Sequence, residues 1–254
     1  MTYIQSKTGG RQENQDFYGS AQTQYGELIV ICDGMGGYNG GRCAAETGVQ
    51  VILEEVYKSE EPNPAITLHA AISIANAAIW DESHINSNLR GMGTTVVVLL
   101  ITPEKAICCH VGDSRIYQLR NGKILHRTSD HSYVFDMVKA GIITEEQARV
   151  SEKSNIITRA LGIQPAVGIE MTDNLQYQKG DRFLLCTDGI WGAVPEKELV
   201  EMASDKENVE KVLSQLVEKI DAIGVAGGGY HDNLTAALVE MEYDSKSTIQ
   251  QAKP

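Results

Sequence analysis

Short apolar runs of strand length recur along this chain, and they constrain its fold more than any other feature. Two of them surround Asn121-Gly122 in "RIYQLRNGKILHRT", a dipeptide typical of a two-residue β-hairpin. Tight turns between successive strands favour antiparallel pairing. The other runs are "ELIVICD" (27–33), "TTVVVLLIT" (94–102), "KAICCHVGD" (105–113), "DRFLLCTD" (181–188) and "LTAALVEM" (234–241).

Helical periodicity appears on both sides of the central strands. Residues 41–56, 65–80 and 207–223 repeat apolar side chains at intervals of three and four, and Pro64 and Pro195 stand near helix starts. This order predicts an α+β fold, with layers of antiparallel sheet covered by helices. Since no Pro/Gly/Ser linker divides the chain, we expect one domain over residues 1–243. The last residues, 244–254, form a polar C-terminal tail in this prediction.

Residues 131–162 interrupt the strand pattern with two short helical stretches. We interpret this segment as an insertion over the edge of a sheet. Such insertions can act as lids, but a plain surface excursion explains the pattern equally well at this point.

Charge and cysteine content exclude several classes of protein. The 254-residue chain has a formal net charge of -12, which disfavours nucleic-acid binding and would repel phosphorylated substrates unless bound cations reverse the sign locally. Its five cysteines lie mostly in apolar runs and include no Cys-x-x-Cys pair, as expected of reduced core thiols in a cytosolic protein. The longest apolar run, Val96–Ile101, is too short for a bilayer. We therefore expect a cytoplasmic protein.

Aspartates stand at the ends of four apolar runs. Asp33, Asp113 and Asp188 each follow a run, and Asp232 comes just before one. A single Asp-Gly after a strand is commonly a hairpin turn, but four such acids are harder to explain in that way. If the strand ends converge, the carboxylates repel one another and their pKa values rise, unless divalent cations neutralise them. Oxygen ligands without nearby His or Cys suit Mg²⁺ or Mn²⁺.

Two other motifs compete with a metal site as explanations of these stretches. The glycine-rich stretch after Asp33 matches neither a phosphate-binding P-loop nor the Gly-x-Gly-x-x-Gly dinucleotide fingerprint. Cys109 and Arg115 have the Cys-x5-Arg spacing of cysteine-dependent tyrosine phosphatases. Asp113 would repel phosphate from such a cradle, and a hairpin follows Arg115 where a helix N-terminus is needed. We interpret Cys109 as a core thiol.

The N-terminal stretch "GGRQENQD" supplies further candidates. Arg11 and Asp16 either belong to a charged loop before a strand or act as a phosphate clamp and an acid near a metal. His131 and His231 lie near candidate sites, but no histidine is assigned as a ligand.

Taken in order, seven stretches resemble the metal-dependent serine/threonine protein phosphatases of the type-2C, or PPM, family, in its bacterial form with a single catalytic domain. The resemblance covers essentially the whole chain. The stretches are "RQENQD" (11–16), "DGMGGYNGG" (33–41), "MGTT" (92–95), "VGDSRIY" (111–117), "TSDHS" (128–132), "LLCTDGIW" (184–191) and "HDNLT" (231–235).

The resemblance implies a sandwich of two antiparallel sheets, flanked by helices on both outer faces, with residues 131–162 as a helical flap. It implies hydrolysis of phosphoserine and phosphothreonine in proteins by a hydroxide that bridges two Mn²⁺ or Mg²⁺ ions, without a covalent phosphoenzyme. It also implies phosphoprotein substrates, an opposing serine/threonine kinase and a role in signalling. We expect a monomer that binds neither nucleic acid nor membranes.

Site residues follow from the same resemblance. Asp33 would bridge the ions, the Gly34 carbonyl would bind one of them, and Asp188 and Asp232 the other. Asp16 would act mainly through metal-bound water. Two further residues are implied: Arg11 as the phosphate-binding arginine, and Asp113 as support for a weaker third ion.

The chain departs from the family pattern at three positions. Gln15 replaces a common Glu, Met35 stands where animal members carry a histidine thought to be a general acid, and Gly192 replaces a common acid. These changes put the second ion, the proton donor and the third ion in question. They also support an alternative, a phosphatase-like binding or regulatory protein with weak catalysis.

Overall fold

The computed structural model describes residues 1–246, apart from the side chains of residues 37–39. That part of the chain forms eleven β-strands and seven α-helices. The strands are β1 (Thr2–Lys7), β2 (Asp16–Gln22), β3 (Glu27–Met35), β4 (Gly93–Thr94), β5 (Val96–Ile101), β6 (Ala106–Val111), β7 (Arg115–Arg120), β8 (Lys123–Arg127), β9 (Glu170–Leu175), β10 (Arg182–Cys186) and β11 (Leu234–Glu240). The helices are α1 (Gly37–Lys58), α2 (Pro64–Ile85), α3 (Tyr133–Lys139), α4 (Glu145–Arg149), α5 (Asp188–Trp191), α6 (Glu196–Ala203) and α7 (Val209–Ala226), with a 3-10 turn over Ser87–Leu89.

Two antiparallel sheets stack face to face. One has the strand order β1-β11-β10-β7-β8, and the other has β2-β3-β5-β6-β9, with β4 paired to β3. One apolar cluster fills the space between the sheets, a second lies between the first sheet and α6 and α7, and a third lies between the second sheet and α1 and α2. The predicted α+β sandwich with helices on both outer faces is confirmed.

The strand β3 shows why the apolar runs lack alternation. Leu28, Val30 and Cys32 face the cluster beneath α1 and α2, whereas Ile29 and Ile31 face the opposite sheet. Since successive side chains of a strand point to opposite faces, a strand covered on both sides must be apolar at every position. The predicted hairpin is also confirmed, because Asn121 and Gly122 have φ values of 52° and 72°, as a type I′ turn requires.

Three strand features were not predicted. The strands β1 and β9 lie at sheet edges, are half-buried or exposed, and lack an apolar run. The strand β3 does not end at Asp33 but continues to Met35, where β4 pairs with it. The hairpin-turn interpretation of Asp33-Gly34 is therefore wrong. It is also wrong for Asp188, which begins a helix.

The insertion over residues 131–162 contains two helices, α3 and α4, as predicted. An isolated bridge between Ser132 and Ile157 joins the two ends of the insertion, and a second bridge, between Thr94 and Leu161, ties its base to the body. Below, "the flap" means residues 131–162.

The start of the predicted tail is not loose. Ser245 is fully buried and donates its backbone N–H to the Tyr177 carbonyl, and the Lys246 N–H donates to the Pro103 carbonyl. The rest of the predicted tail, residues 247–254, lies outside the described residues. Within residues 1–246, none of the helices combines the length and the apolar content needed to cross a bilayer.

Candidate metal centre

The predicted site aspartates meet at one end of the sandwich. Asp33 on β3 lies opposite Asp16 on β2 in the strand register. Asp188 begins α5 just after β10, Asp232 precedes the neighbouring β11, and Asp113 follows β6. The charges of the other four carboxylates all raise the pKa of Asp33. Five acids from distant parts of the sequence therefore share one electrostatic site.

The pKa values of these carboxylates are raised, chiefly by burial. Burial raises the pKa of Asp16 to about 7, even though hydrogen bonds from Thr235 and Thr187 oppose the shift. The pKa of Asp188 rises to about 6 through burial and the nearby charge of Asp232. Burial and neighbouring carboxylates hold the pKa values of Asp33 and Asp113 well above their usual range. Such a cluster favours a bound cation.

Arginine neutralises only one of these acids directly. Arg11 Nη2 lies 2.7 Å from Asp232 Oδ2, and the two side chains are 53% and 37% exposed. Among the described residues, no other lysine or arginine forms an ion pair with any of the five site aspartates. Asp33 and Asp188 lie close enough for the carboxyl group of each to shift the pKa of the other. The donor set therefore suits divalent cations.

Thr94 and Thr95 hold the backbone of Asp33. Thr94 Oγ1 donates to the Asp33 carbonyl at 2.9 Å, and the Thr95 N–H donates to it at 2.8 Å. Thr95 Oγ1 accepts from the Asp33 N–H at 3.2 Å and shares a 2.8 Å hydrogen bond with Ser114 Oγ. Asp33 is thereby fixed relative to the segment that carries Asp113.

Asn233 joins the N-terminal loop to the centre. Its Nδ2 donates to the carbonyls of Thr8 and Glu13, and its Oδ1 accepts from the Gln15 N–H at 2.8 Å. This clamp brings the loop with Arg11 beside Asp232. Asp16, at the end of the loop, accepts a 3.0 Å hydrogen bond from Thr187 Oγ1.

Sequence reasoning did not assign Thr94, Thr95, Ser114, Thr187 or Asn233 to the site. All five fall within the stretches that carry the family resemblance, and Ser114, Thr187 and Asn233 each stand directly beside a site aspartate in the sequence. The adjacency of hydroxyl and amide side chains to the acids was a usable signal. Which hydroxyl meets which acid depends on the pairing of the strands.

Gly34 is required by close packing of backbone. A Cβ at this position would lie 1.9 Å from the Gly41 carbonyl oxygen, so a side chain would displace α1 from β3. The Gly34 N–H donates to the Gln15 carbonyl at 3.1 Å. This close approach of backbones accounts for the glycine, and it leaves the proposed metal-binding carbonyl of Gly34 as a prediction.

The three departures from the family pattern have distinct surroundings. Met35 is half-buried on β3 opposite Gly93. Gly192 follows α5, and its carbonyl accepts a 3.1 Å hydrogen bond from Arg149 of the flap. Residue 192 therefore takes part in a contact between the flap and the body of the domain.

Among the described residues, a group outside the centre has three possible ligand atoms within 4.8 Å of one another: His110, His131 and Glu170. Their hydrogen bonds oppose metal binding. His131 Nδ1 accepts from the Gly112 N–H, and its Nε2 lies 3.1 Å from Glu170 and 3.3 Å from Arg159 Nη1, so both ring nitrogens are already engaged. His110 Nε2 donates to the Ser129 carbonyl at 2.8 Å. Burial lowers the pKa of both rings, and we interpret them as neutral structural histidines.

The thiol alternative is contradicted by the structure. Cys109 is fully buried, and burial raises its pKa to about 12, so it is neither accessible nor ionised at neutral pH. Arg115 is engaged by Asp130 through bonds of 2.8 and 2.7 Å. It is not available to bind phosphate beside Cys109.

A cleft of about 230 Å³ opens beside the aspartates, between the flap and α5. Asp188 and Asp232 line it from the body, and Arg149, Ser154 and Asn155 line it from the flap. The aspartate cluster is therefore reachable from outside through this cleft.

The fold and the site together define a class of protein: an α-β-β-α sandwich with a cluster of five aspartates at one end. A family model described as protein phosphatase 2C matches residues 5–238. The chain therefore belongs to the protein phosphatase 2C family, and it is a protein phosphatase of the metal-dependent, bacterial type.

Individual relatives agree. A serine/threonine phosphatase, stp, of Listeria monocytogenes serotype 4b is 31% identical over 244 residues, which cover 93% of both chains. The phosphatase PstP of Mycobacterium tuberculosis is 31% identical over 227 residues, which cover 87% of this chain and 42% of PstP.

Solved structures share the fold. The crystal structure of Stp1 from Staphylococcus aureus superposes with a TM-score of 0.84 at 28% identity, covering 95% of this chain and 94% of Stp1. The PstP catalytic domain in complex with two manganese ions gives a TM-score of 0.79 at 28% identity, covering 94% of this chain and 97% of that domain.

Proposed function

We propose that this chain hydrolyses phosphoserine and phosphothreonine esters of proteins in a reaction that requires two Mn²⁺ or Mg²⁺ ions. The observation that carries the proposal is the convergence of five aspartates whose charges the described protein groups leave largely uncompensated. A binding protein without turnover is not favoured, because the five aspartates converge at the site even though Gln15 and Gly192 stand where many relatives have an acid.

In this proposal Asp33 would be the ligand shared by the two ions, since its charge interacts with those of all the other site acids. The Gly34 carbonyl would help to hold one ion, and Asp188 and Asp232 would hold the other. When bound, the ions would neutralise the phosphoryl group and supply an acidified water as nucleophile. Asp16, held by Thr187, orients solvent at the edge of the centre, and Asp113 supports a weaker third ion.

Arg11 binds the substrate phosphate in this scheme. Its guanidinium now pairs with Asp232 at 2.7 Å, so it must leave that carboxylate to reach a phosphate. With 53% of its side chain exposed and only one ion pair, the exchange costs little, because exposed pairs contribute at most about 1 kcal/mol. A planar guanidinium can then hold two phosphoryl oxygens at once.

The direct test is hydrolysis of p-nitrophenyl phosphate and of a phosphothreonine peptide by the purified chain with Mn²⁺. Activity should disappear with EDTA, return with added Mn²⁺ and resist iodoacetamide, because Cys109 is buried. Activity that survives EDTA and is lost to iodoacetamide would overturn the proposal. A phosphotyrosine peptide of the same sequence serves as the substrate control.

We also propose that the enzyme is a cytoplasmic monomer that opposes a serine/threonine kinase in signalling, without binding nucleic acid or membranes. The net charge of -12 and the five free cysteines support this setting. Light scattering would test the monomer. A phosphoproteomic comparison of a strain lacking the protein with its parent would identify the substrates.

A further inference from the structure

Trp191 fixes the backbone of the Asp113 segment. It is the last residue of α5 and is 8% exposed. Its Nε1–H donates to the Asp113 carbonyl at 3.0 Å, so the helix that follows β10 is bonded to the connection between β6 and β7. The position of Asp113 at the candidate metal centre therefore depends on how the Trp191 ring is held.

Arg115 holds that ring. Its guanidinium carbon lies 3.6 Å from the centroid of the Trp191 ring, in cation–π contact. The guanidinium is itself fixed by two bonds to Asp130, of 2.8 and 2.7 Å, and by a 3.0 Å bond to the Tyr117 hydroxyl. A buried arginine held by three hydrogen bonds therefore sets the orientation of the tryptophan.

The flap connects to this group through Arg127. Arg127 forms two bonds to Glu145 of α4, of 2.6 and 3.0 Å, and a 2.6 Å bond to Glu196 of the body. Glu196 lies 3.8 Å from Arg115 Nη1. An unbroken series of contacts thus runs from the flap carboxylate of Glu145 to the arginine beneath Trp191.

The contact between flap and body is suited to opening. A cavity of about 60 Å³ separates them, lined by Val134, Phe135 and Ala148 of the flap and by Arg115 and Trp191 of the body. This is space for a water molecule or two, not a close-packed core. Polar bonds therefore set the flap position to a large extent.

We propose that the flap is coupled to Asp113 through Trp191, which acts as a positioning residue. Loss of the Glu145–Arg127 contact releases Arg115 from one of its constraints, and the Trp191 bond to Asp113 weakens in consequence. The coupling deepens the proposed function, since it matters to catalysis only if Asp113 serves the metal centre. The contacts themselves can be tested without metal.

The test is hydrogen exchange of residues 111–115 in the metal-free protein, measured for wild type, Glu145→Gln, Trp191→Phe and the double variant. Phe keeps a ring over Arg115 but removes the N–H donor. Glu145 is half exposed, so its variant folds. Exchange should quicken about twofold or more in each single variant. In the double variant it should be no faster than in Trp191→Phe alone, because coupled residues are non-additive.

Matched controls separate this effect from general loosening. Glu152→Gln makes the same charge change at another exposed position of the flap, and Trp80→Phe makes the same ring change on α2. Neither should alter exchange at residues 111–115. Unchanged exchange in Glu145→Gln, or strictly additive effects in the double variant, would overturn the coupling.

An activity measurement then relates the coupling to catalysis. Glu145→Gln and Trp191→Phe should each need about twofold more Mn²⁺ for half-maximal rate, whereas both controls should match wild type. If wild type has no phosphatase activity, the proposed function fails but the exchange result still decides the coupling. If wild type is active but hydrogen exchange at residues 111–115 is unchanged in Glu145→Gln or strictly additive in the double variant, the proposed function stands and only the proposed coupling is overturned.

Discussion

Two kinds of buried carboxylate occur in the same pair of sheets. Asp130 and Asp181 each meet an arginine through two bonds, Asp130 with Arg115 and Asp181 with Arg120. Asp16 and Asp113 are equally buried, at 5% and 4% exposure, yet neither forms an ion pair with a described lysine or arginine. The fold is therefore able to pair a buried acid, and at one end of the sandwich it does not.

This difference separates structural charge from functional charge. The charge of a buried carboxylate bound by arginine is neutralised within the protein, and removing the carboxylate leaves an uncompensated cation. A buried cluster without such partners destabilises the metal-free fold, and a cation from outside relieves the repulsion. The following predictions run from the largest expected effect to the smallest.

Asp33→Asn should reduce phosphatase turnover by at least about a thousandfold, the upper range for loss of one preorganised electrostatic group. The amide keeps the shape but removes the charge shared by the proposed ions. Turnover of p-nitrophenyl phosphate across a Mn²⁺ titration is the measurement. Near-normal turnover at high Mn²⁺ would show that Asp33 is not the bridging ligand.

Asp181→Asn should behave in the opposite way, with activity retained and stability lowered by about 3 kcal/mol, since Arg120 loses its buried partner. Urea unfolding would measure the loss. Asp173→Asn is the matched control, because its ion pair with Lys105 is long, at 3.9 Å, and mostly exposed. Equal effects in the two variants would contradict the distinction between paired and unpaired acids.

Asp16 should make the metal-free protein more stable at low pH than at high pH. Its folded pKa of about 7 lies above its ordinary value, so its contribution to stability is complete below about pH 4 and is lost as the pH rises through 7. The free energy of unfolding of wild type, taken relative to that of Asp16→Asn, should therefore fall by on the order of 2 kcal/mol between pH 5 and pH 8.

Urea unfolding in EDTA at both pH values measures this difference in the free energy of unfolding. With excess Mn²⁺ the wild type should regain stability at pH 8, because the ion binds only the folded state. If the difference in the free energy of unfolding between wild type and Asp16→Asn does not change with pH, burial does not raise the pKa of Asp16.

Cys109→Ala should change turnover per folded molecule by less than about twofold, within the range expected of substitutions that touch no reacting group. The thiol is buried in the core beneath α1 and α2. A large loss of turnover with an unchanged melting temperature would reopen the thiol alternative.

The central strands could be predicted from the sequence, because the apolar run that marks each strand lies within the strand itself. Strands such as β3, covered on both faces, must be apolar throughout, and the hairpin at Asn121-Gly122 needs only two residues with positive φ. The edge strands β1 and β9 gave no such signal. Their stability comes from pairing with β11 and β6 rather than from their own side chains.

By itself the sequence determined which residues are the candidates for the chemistry: acids placed where buried strands end, with glycine and hydroxyl side chains beside them. Tertiary structure alone decided which of them meet. Arg11 pairs with Asp232, which is 221 residues away, and Trp191 holds the backbone of Asp113 across 78 residues. Local patterns fix the type of each element, but contacts between distant residues depend on sheet pairing and burial, which no short stretch of sequence contains.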